Sequence, residues 1–222
     1  MFSPAGNVLA TGGDDYFLRL WDVSSGSHDN RAFKPFLCPI SAVGWNPQGY
    51  MLAVAGTDQQ IGLVRTRPSF GLVKKFSGHS ECITALHFNR AGKHVFSGSS
   101  DRTVRVWDVQ TGEMVKQIPT MSTVTCMDVN SMDTSFASGH KTGDIRIYSM
   151  SSLEKTAHIQ NAHSSQITSI NFTNDRSQIV TTSTDGVIKI FDMRTQKAID
   201  EIDCPELSIP AVCSSVGLSR ND

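Results

Sequence analysis

The sequence predicts an all-β fold, a β-propeller of four-stranded antiparallel blades, from three observations. First, "DDYFLRLWDV", "SDRTVRVWDV" and "TDGVIKIFDM" are copies of one pattern, and "TDQQIGLVRT" and "KTGDIRIYSM" are weaker copies. Second, the aromatic position of these copies recurs about every 43 residues, at positions 21, 64, 107, 148 and 191. Third, short runs of alternating polar and apolar residues are separated by Gly-, Ser- and Asp-rich turns, without long helical periodicity. Regular units of this length and composition are typical of propeller blades.

The elements of one blade can be assigned in order from the clearest copy. Its predicted strands are "CITALHFN" (82–89), "HVFSGSS" (94–100), "TVRVWDV" (103–109) and "EMVKQI" (113–118), with turns between them. Extending this order to the other copies predicts a propeller over residues 1–203. The predicted blades cover residues 1–37, 38–76, 77–118, 119–160 and 161–203, and residues 204–222 are the start of a further blade or an irregular tail.

The distribution of the copies indicates whether this chain closes a ring of blades by itself. About five blades are covered, and "MFSP" matches only the end of a first strand. An open ring would leave strand edges with unpaired N–H and C=O groups. We therefore expect this chain to form part of a longer ring of blades. A closed five-bladed ring is the alternative, which the regular period allows and the missing first strand disfavours.

Composition excludes several classes of function. The 222 residues are 39% hydrophobic and 18% charged, which is ordinary for a globular domain. Lys and Arg number 20 against 21 Asp and Glu, so we expect no nucleic-acid partner. No segment approaches the roughly 20 apolar residues that span a bilayer, so no direct membrane insertion is expected. Five Cys without a CxxC pair favour free thiols and a cytoplasmic location, and predict no metal site.

The segment "SGHSECITALHFNRAGKHVFSGSSDRTVRVWDV" resembles a nearly complete WD repeat, with Gly-His before the first strand and Trp-Asp at the end of the third. The resemblance implies that this chain is part of a seven-bladed ring, and it implies a hydrogen-bonded structural tetrad of His, Ser or Thr, Asp and Trp. Such a network is physically sensible because a buried indole N–H and a buried imidazole each need a partner. Carried over by position, the tetrad residues are His79, Ser97, Asp101 and Trp107, then His163, Thr181 and Asp185, and in the first copy Asp15 and Trp21.

A structural interpretation of these residues is favoured over a catalytic one, because His and Asp recur at the same phase of the repeat. No Ser/His/Asp arrangement lies outside the tetrads, and no P-loop or GxGxxG is present, so we expect neither an enzyme nor a cofactor. A column of cations lies two residues before the aromatic position. Strand alternation predicts that these side chains are solvated, and they are Arg19, Arg105, Arg146 and Lys189.

Three copies depart from the repeat. The second has Val64 in place of the aromatic residue and therefore has no tetrad. The fourth has Thr142 in place of the turn Asp and lacks the preceding Gly-His, and the fifth has Phe191. We expect these blades to be held together mainly by packing.

The order of regular and irregular copies resembles the C-terminal propeller of the autophagy-related protein 16 family. This resemblance implies a non-enzymatic recruitment module that brings the ubiquitin-like conjugation machinery to membranes by binding proteins, at the periphery of autophagic membranes. "VRTRP" is a poor match to the Phe-Arg-Arg-Gly motif of lipid-binding propellers, so direct lipid binding is not expected. The alternative is a substrate-recognition adaptor of a ubiquitin ligase or another WD-repeat scaffold.

The resemblance also implies where a partner binds. In WD propellers the turn with the tetrad Asp and the loop with Gly-His lie on one face, where loops on a rigid scaffold carry recognition. Lys141 is the strongest single candidate, because it is a cation in a turn without the usual Asp. We expect proteins or peptides to bind at Asp14, Thr57, Glu81, Ser100, Lys141, Gln166 and Thr184.

Overall fold

The computed structural model describes residues 1–26, 32–67, 69–173 and 177–203. The predicted tail at 204–222, with Cys204 and Cys213, lies outside these residues. The part described contains strands and no helix. The strands are β1 (Val8–Thr11), β2 (Arg19–Asp22), β3 (Ile40–Trp45), β4 (Met51–Gly56), β5 (Gln60–Arg65), β6 (Gly71–Ser77), β7 (Ile83–Phe88), β8 (His94–Ser99), β9 (Thr103–Asp108), β10 (Met114–Pro119), β11 (Val124–Val129), β12 (Ser135–His140), β13 (Ile145–Ser149), β14 (Lys155–Ile159), β15 (Ile167–Phe172), β16 (Gln178–Ser183), β17 (Val187–Asp192) and β18 (Ala198–Asp203).

These strands pair with their neighbours in sequence. β1 and β2 form the first sheet, and β3–β6, β7–β10, β11–β14 and β15–β18 form the second to fifth sheets, each with four strands. Phe2 and Phe33 add single antiparallel bridges to the first sheet. Strands β7 to β10 begin and end within one residue of the strands predicted in the clearest copy. The all-β propeller architecture of about five blades is therefore confirmed.

The chain divides into two compact units, and the division falls between Gln117 and Ile118. In the first unit, apolar side chains of neighbouring sheets pack together. Phe76 of β6 and Trp107 of β9 are both buried and stack with ring centroids 5.7 Å apart and planes 11° apart. Burial of two such aromatic side chains contributes several kcal/mol, which makes this contact a main link between the second and third sheets.

In the second unit, the fourth and fifth sheets share an apolar cluster that includes Ile145, Ile167 and Phe191. Side-chain hydrogen bonds also join them. Thr125 Oγ1 donates to the Ile167 carbonyl oxygen over 2.6 Å, and the carboxylate of Asp128 accepts from the Phe172 N–H over 2.8 Å. Apolar packing and these bonds together fix the first strands of the two sheets side by side.

Candidate functional site

The third sheet brings its four predicted tetrad residues together in one buried network. His79 Nδ1 lies 2.7 Å from Asp101 Oδ2, and His79 Nε2 lies 2.7 Å from Ser97 Oγ. The Trp107 indole N–H donates to the same hydroxyl over 2.8 Å. Three strands or loops are thereby linked, because His79 precedes β7, Ser97 lies in β8 and Trp107 lies in β9.

The direction of each hydrogen bond follows from the charge of Asp101. Burial alone would raise the pKa of Asp101, but hydrogen bonds from Thr103 and His79 hold it below its usual value. The carboxylate is an acceptor only, so Nδ1 of His79 carries the proton. Burial lowers the pKa of His79, which keeps the ring neutral and leaves Nε2 to accept from Ser97.

Ser97, His79 and Asp101 have the order of contacts of a hydrolase triad, but the site is closed. Ser97 is fully buried and His79 is nearly so, and the Ser97 hydroxyl oxygen is bonded to the Trp107 indole. A nucleophile must reach a substrate carbonyl, and this hydroxyl has no exposed surface. The network can therefore hold strands together but cannot present Ser97 to a substrate.

The fifth sheet repeats the network without the indole. His163 Nδ1 lies 3.0 Å from Asp185 Oδ2, and Nε2 lies 2.8 Å from Thr181 Oγ1. Phe191 occupies the position of the Trp and has no N–H to donate. Its ring packs edge-on against the imidazole of His163, with the ring centroids 6.4 Å apart. Packing thus replaces one hydrogen bond of the network.

The first sheet separates its two predicted residues. Trp21 donates its indole N–H to Thr11 Oγ1 over 2.8 Å, whereas the side chain of Asp15 is 49% exposed and pairs with Arg19. Sequence reasoning missed Thr11. The signal that could have found it is its position ten residues before Trp21, the same spacing that separates Ser97 from Trp107.

The second sheet has an apolar side chain at three of the four tetrad positions and keeps only the turn carboxylate, Asp58, which accepts from the Gln60 N–H over 3.3 Å. Phe36, Val54 and Val64 stand where the third sheet has its His, Ser and Trp, and all three are buried in one cluster. Packing holds this sheet where the polar network is missing, as the sequence suggested for it.

The fourth sheet contains a buried imidazole that the sequence analysis missed. His140, fully buried in β12, places Nε2 2.9 Å from Ser138 Oγ and Nδ1 3.3 Å from the Ser122 carbonyl oxygen. Burial, and next the charge of Arg146, lower the pKa of His140 to about 4. The expectation that this sheet is held mainly by packing is therefore incomplete, because His140, from the second strand of the sheet, hydrogen-bonds to Ser138 and to the Ser122 carbonyl oxygen.

The turn before β13 also differs from the expectation that it lacks a structural Asp. Asp144, two residues after Thr142, accepts from Thr142 Oγ1 over 3.0 Å and from the Asn161 N–H over 3.1 Å. The carboxylate is present but displaced along the turn, so Lys141 precedes a turn that is structurally stabilised.

The prediction that the cation column is solvated is wrong for two of its members. The side chains of Arg105 and Arg146 are only 12% and 9% exposed. Each lies near the turn carboxylate of its own sheet, Arg105 at 3.9 Å from Asp101 and Arg146 at 3.8 Å from Asp144. Alternation places these residues on the other face of the strand but does not show whether that face is exposed to solvent.

Four of the predicted partner-binding residues occupy equivalent places in their sheets. The backbone N–H groups of Thr57, Ser100, Lys141 and Thr184 donate to carbonyl oxygens just before the first strand of the same sheet, over 2.9 to 3.1 Å. Asp14, Thr57, Glu81 and Lys141 are exposed, whereas Ser100, Gln166 and Thr184 are half-buried. Asp14, Thr57, Glu81 and Ser100 lie in the first unit, and Lys141, Gln166 and Thr184 lie in the second.

Among the residues described, no group of three His, Cys, Asp or Glu side chains could hold a metal ion. These residues also form no helix that is long and apolar enough to span a membrane.

Comparison with known proteins gives matches over most of the chain. The model of the WD domain, G-beta repeat, family matches residues 1–22, 70–108 and 154–192. Protein tipD of Dictyostelium discoideum is 31% identical over 210 residues, which cover 92% of this chain and 33% of that protein. COMPASS component SWD3 of Saccharomyces cerevisiae is 28% identical over 204 residues, which cover 86% of this chain and 62% of that protein.

A third relative is autophagy-related protein 16 of Arabidopsis thaliana, which is 24% identical over 198 residues. The match covers 88% of this chain and 38% of that protein. The chain thus spans less than two thirds of each of these three relatives. The repeats matched by the family model and the four-stranded antiparallel sheets of the structure point to the same family. The chain belongs to the WD-repeat family.

Proposed function

We propose that this chain is a non-enzymatic scaffold that binds proteins or peptides through the turns that precede the third strand of each sheet. The observation that carries the proposal is the repeated backbone hydrogen bond at Thr57, Ser100, Lys141 and Thr184. It fixes one residue of each turn at an equivalent place, and rigidly held loop residues bind partners at little entropic cost. The closed Ser97–His79–Asp101 network supports a role without catalysis.

The finer proposal is a recruitment module like that of the autophagy-related protein 16 family, acting in the cytoplasm and at autophagic membranes through its partners. The order of irregular sheets and the Arabidopsis relative support it. SWD3, a component of COMPASS, supports a general scaffold equally well. Nucleic acid is not among the partners that we propose, because the charge of the chain is balanced. Lipid is not among them either, because "VRTRP" is a poor match to the motif of lipid-binding propellers.

Two substitutions at opposite ends of β9 test the scaffold proposal. We expect Ser100→Arg to reduce the recovery of co-purifying proteins from cell extract about tenfold, because a bulky cation at the centre of an interface often costs more than about 1.4 kcal/mol. Gln110→Arg adds the same side chain after β9 and should leave recovery unchanged. Quantitative mass spectrometry of the bound proteins, with the melting temperature of each variant, provides the measurement.

Because Ser100 is half-buried, exposed Thr57→Arg serves as a second variant with less risk to folding. Loss of partners in Gln110→Arg alone would show that the opposite face binds. The identity of the recovered proteins separates the finer alternatives. Components of the ubiquitin-like conjugation machinery would favour recruitment in autophagy, and ubiquitin-ligase subunits would favour a substrate adaptor.

A further inference from the structure

The second unit exposes a large apolar side chain that its fold does not use. Met121, in the loop before β11, is 84% exposed and has a φ of 61°. The left-handed region costs a residue other than glycine on the order of 1 kcal/mol. At the same position the third and fifth sheets have Ser80 and Ser164, whose N–H groups donate to the turn carboxylates. Because the backbone forms these bonds, the fold does not require a large apolar side chain at this position.

The loop that carries Met121 is fixed from beneath. The Ser122 carbonyl oxygen accepts a hydrogen bond from Thr120 Oγ1 over 2.8 Å and lies 3.3 Å from His140 Nδ1. Thr120, Ser122 and His140 are all buried. His140 therefore holds Ser122, the residue that follows Met121, by a hydrogen bond. A side chain presented on a rigid loop loses little entropy on binding.

A cation stands beside this loop. Lys141 follows His140 directly, is exposed, and donates its backbone N–H to the carbonyl oxygen of Thr123, two residues after Met121. Its ammonium forms no hydrogen bond or ion pair with the residues described. Asp144, the carboxylate of the same turn, already accepts from Thr142 and from the Asn161 backbone, and it lies near Arg146 and His158. We call the loop at Met121 and the turn at Lys141 this corner of the fourth sheet, and the charge that it offers to a partner is positive.

We propose that Met121 and Lys141 together anchor an acidic peptide segment of a partner protein. In this arrangement an apolar side chain of the peptide packs on the flexible, polarizable thioether of Met121, and a nearby carboxylate pairs with Lys141. The inference deepens the proposed scaffold function and rests on it. It assigns the chemistry of the partner and adds a residue, Met121, that the repeat pattern does not single out.

Selection from a displayed library of random 12-residue peptides on the full chain tests the pair. We expect enriched peptides to combine Asp or Glu with a nearby Leu, Ile, Met or Phe. Selection on Lys141→Glu should replace the acidic residue by Lys or Arg and retain the apolar one. Selection on Met121→Ser should lose the apolar preference, and the best peptide selected on the unchanged chain should bind this variant at least tenfold more weakly.

The matched controls are Met114→Ser and Lys155→Glu, which alter an exposed Met and an exposed Lys outside this corner and should leave the selection unchanged. Peptides without the acidic and apolar pair, or the same peptides on all variants, would overturn the proposal. A dimer of the chain that Met121→Ser dissociates, measured by light scattering, would also overturn it, because a second copy would then cover Met121. If Thr57→Arg and Ser100→Arg abolish partner recovery while Met121→Ser and Lys141→Glu change nothing, the scaffold proposal stands and this one fails.

Discussion

Asp101→Ala should lower the free energy of unfolding by about 1–3 kcal/mol, the usual cost of leaving buried polar groups without a partner. The Asp101 side chain is 4% exposed and accepts from Thr103 Oγ1 over 2.6 Å, from the Thr103 N–H over 3.0 Å and from the Ser80 N–H over 3.2 Å. It also holds the proton-bearing Nδ1 of His79. Alanine removes the acceptor from all of these donors at once. Urea denaturation of the full chain measures the loss.

The chain contains a matched control for this substitution. Asp15 occupies the same position in the first sheet, but it is half exposed and bonds to Arg19 and the Phe17 N–H, which water can replace. Asp15→Ala should therefore cost clearly less than Asp101→Ala. Thr142→Ala, at the same position in the fourth sheet, removes one exposed bond to Asp144 and should also cost less. Equal losses in the three variants would contradict a buried network centred on Asp101.

Most of this network could be predicted from the sequence because spacing alone identifies it. His79, Ser97 and Asp101 recur as His163, Thr181 and Asp185 with the same intervals, so two copies support each other. A repeated interval specifies the same place in each sheet, and the same place implies the same neighbours. Thr11 could have been found by this rule.

The histidine of the fourth sheet could not be found by that rule, because it does not stand at the histidine position. His140 lies where the third and fifth sheets have Ser99 and Ser183, and Thr120 occupies the histidine position of the third sheet. Residues two apart in a strand share a face, so His140 can bond to Ser138, but several other arrangements satisfy the same alternation. Only the packed structure shows that the imidazole reaches the Ser122 carbonyl oxygen. The burial of Arg105 and Arg146 escaped prediction for a similar reason, since it depends on the groups that pack against that face of the strand.

Acidification should reveal the contribution of His140 to stability. Its pKa is about 4 in the folded chain and about 6.5 in an unfolded chain, so between these values the unfolded chain binds more protons. The stabilisation is complete above about pH 6.5 and is lost as the pH falls toward 4. A shift of this size corresponds to roughly 3 kcal/mol. His79 and His163, whose pKa values are also lowered by burial, add losses in the same direction.

A comparison of two variants isolates the part due to His140. His140→Ser introduces the residue that the neighbouring sheets have at this position, and between pH 7 and pH 4 it should lose roughly 3 kcal/mol less than the unchanged chain. Thr120→Val removes the other donor to Ser122 without removing a titratable group, so it should lower stability by the same amount at every pH. Urea denaturation at four pH values from 7 to 4 gives the curves. If His140→Ser falls as steeply as the unchanged chain, His140 is not held neutral in the folded state. The bonds that support Met121 from beneath would then need a different assignment, because a protonated ring would donate from both nitrogens.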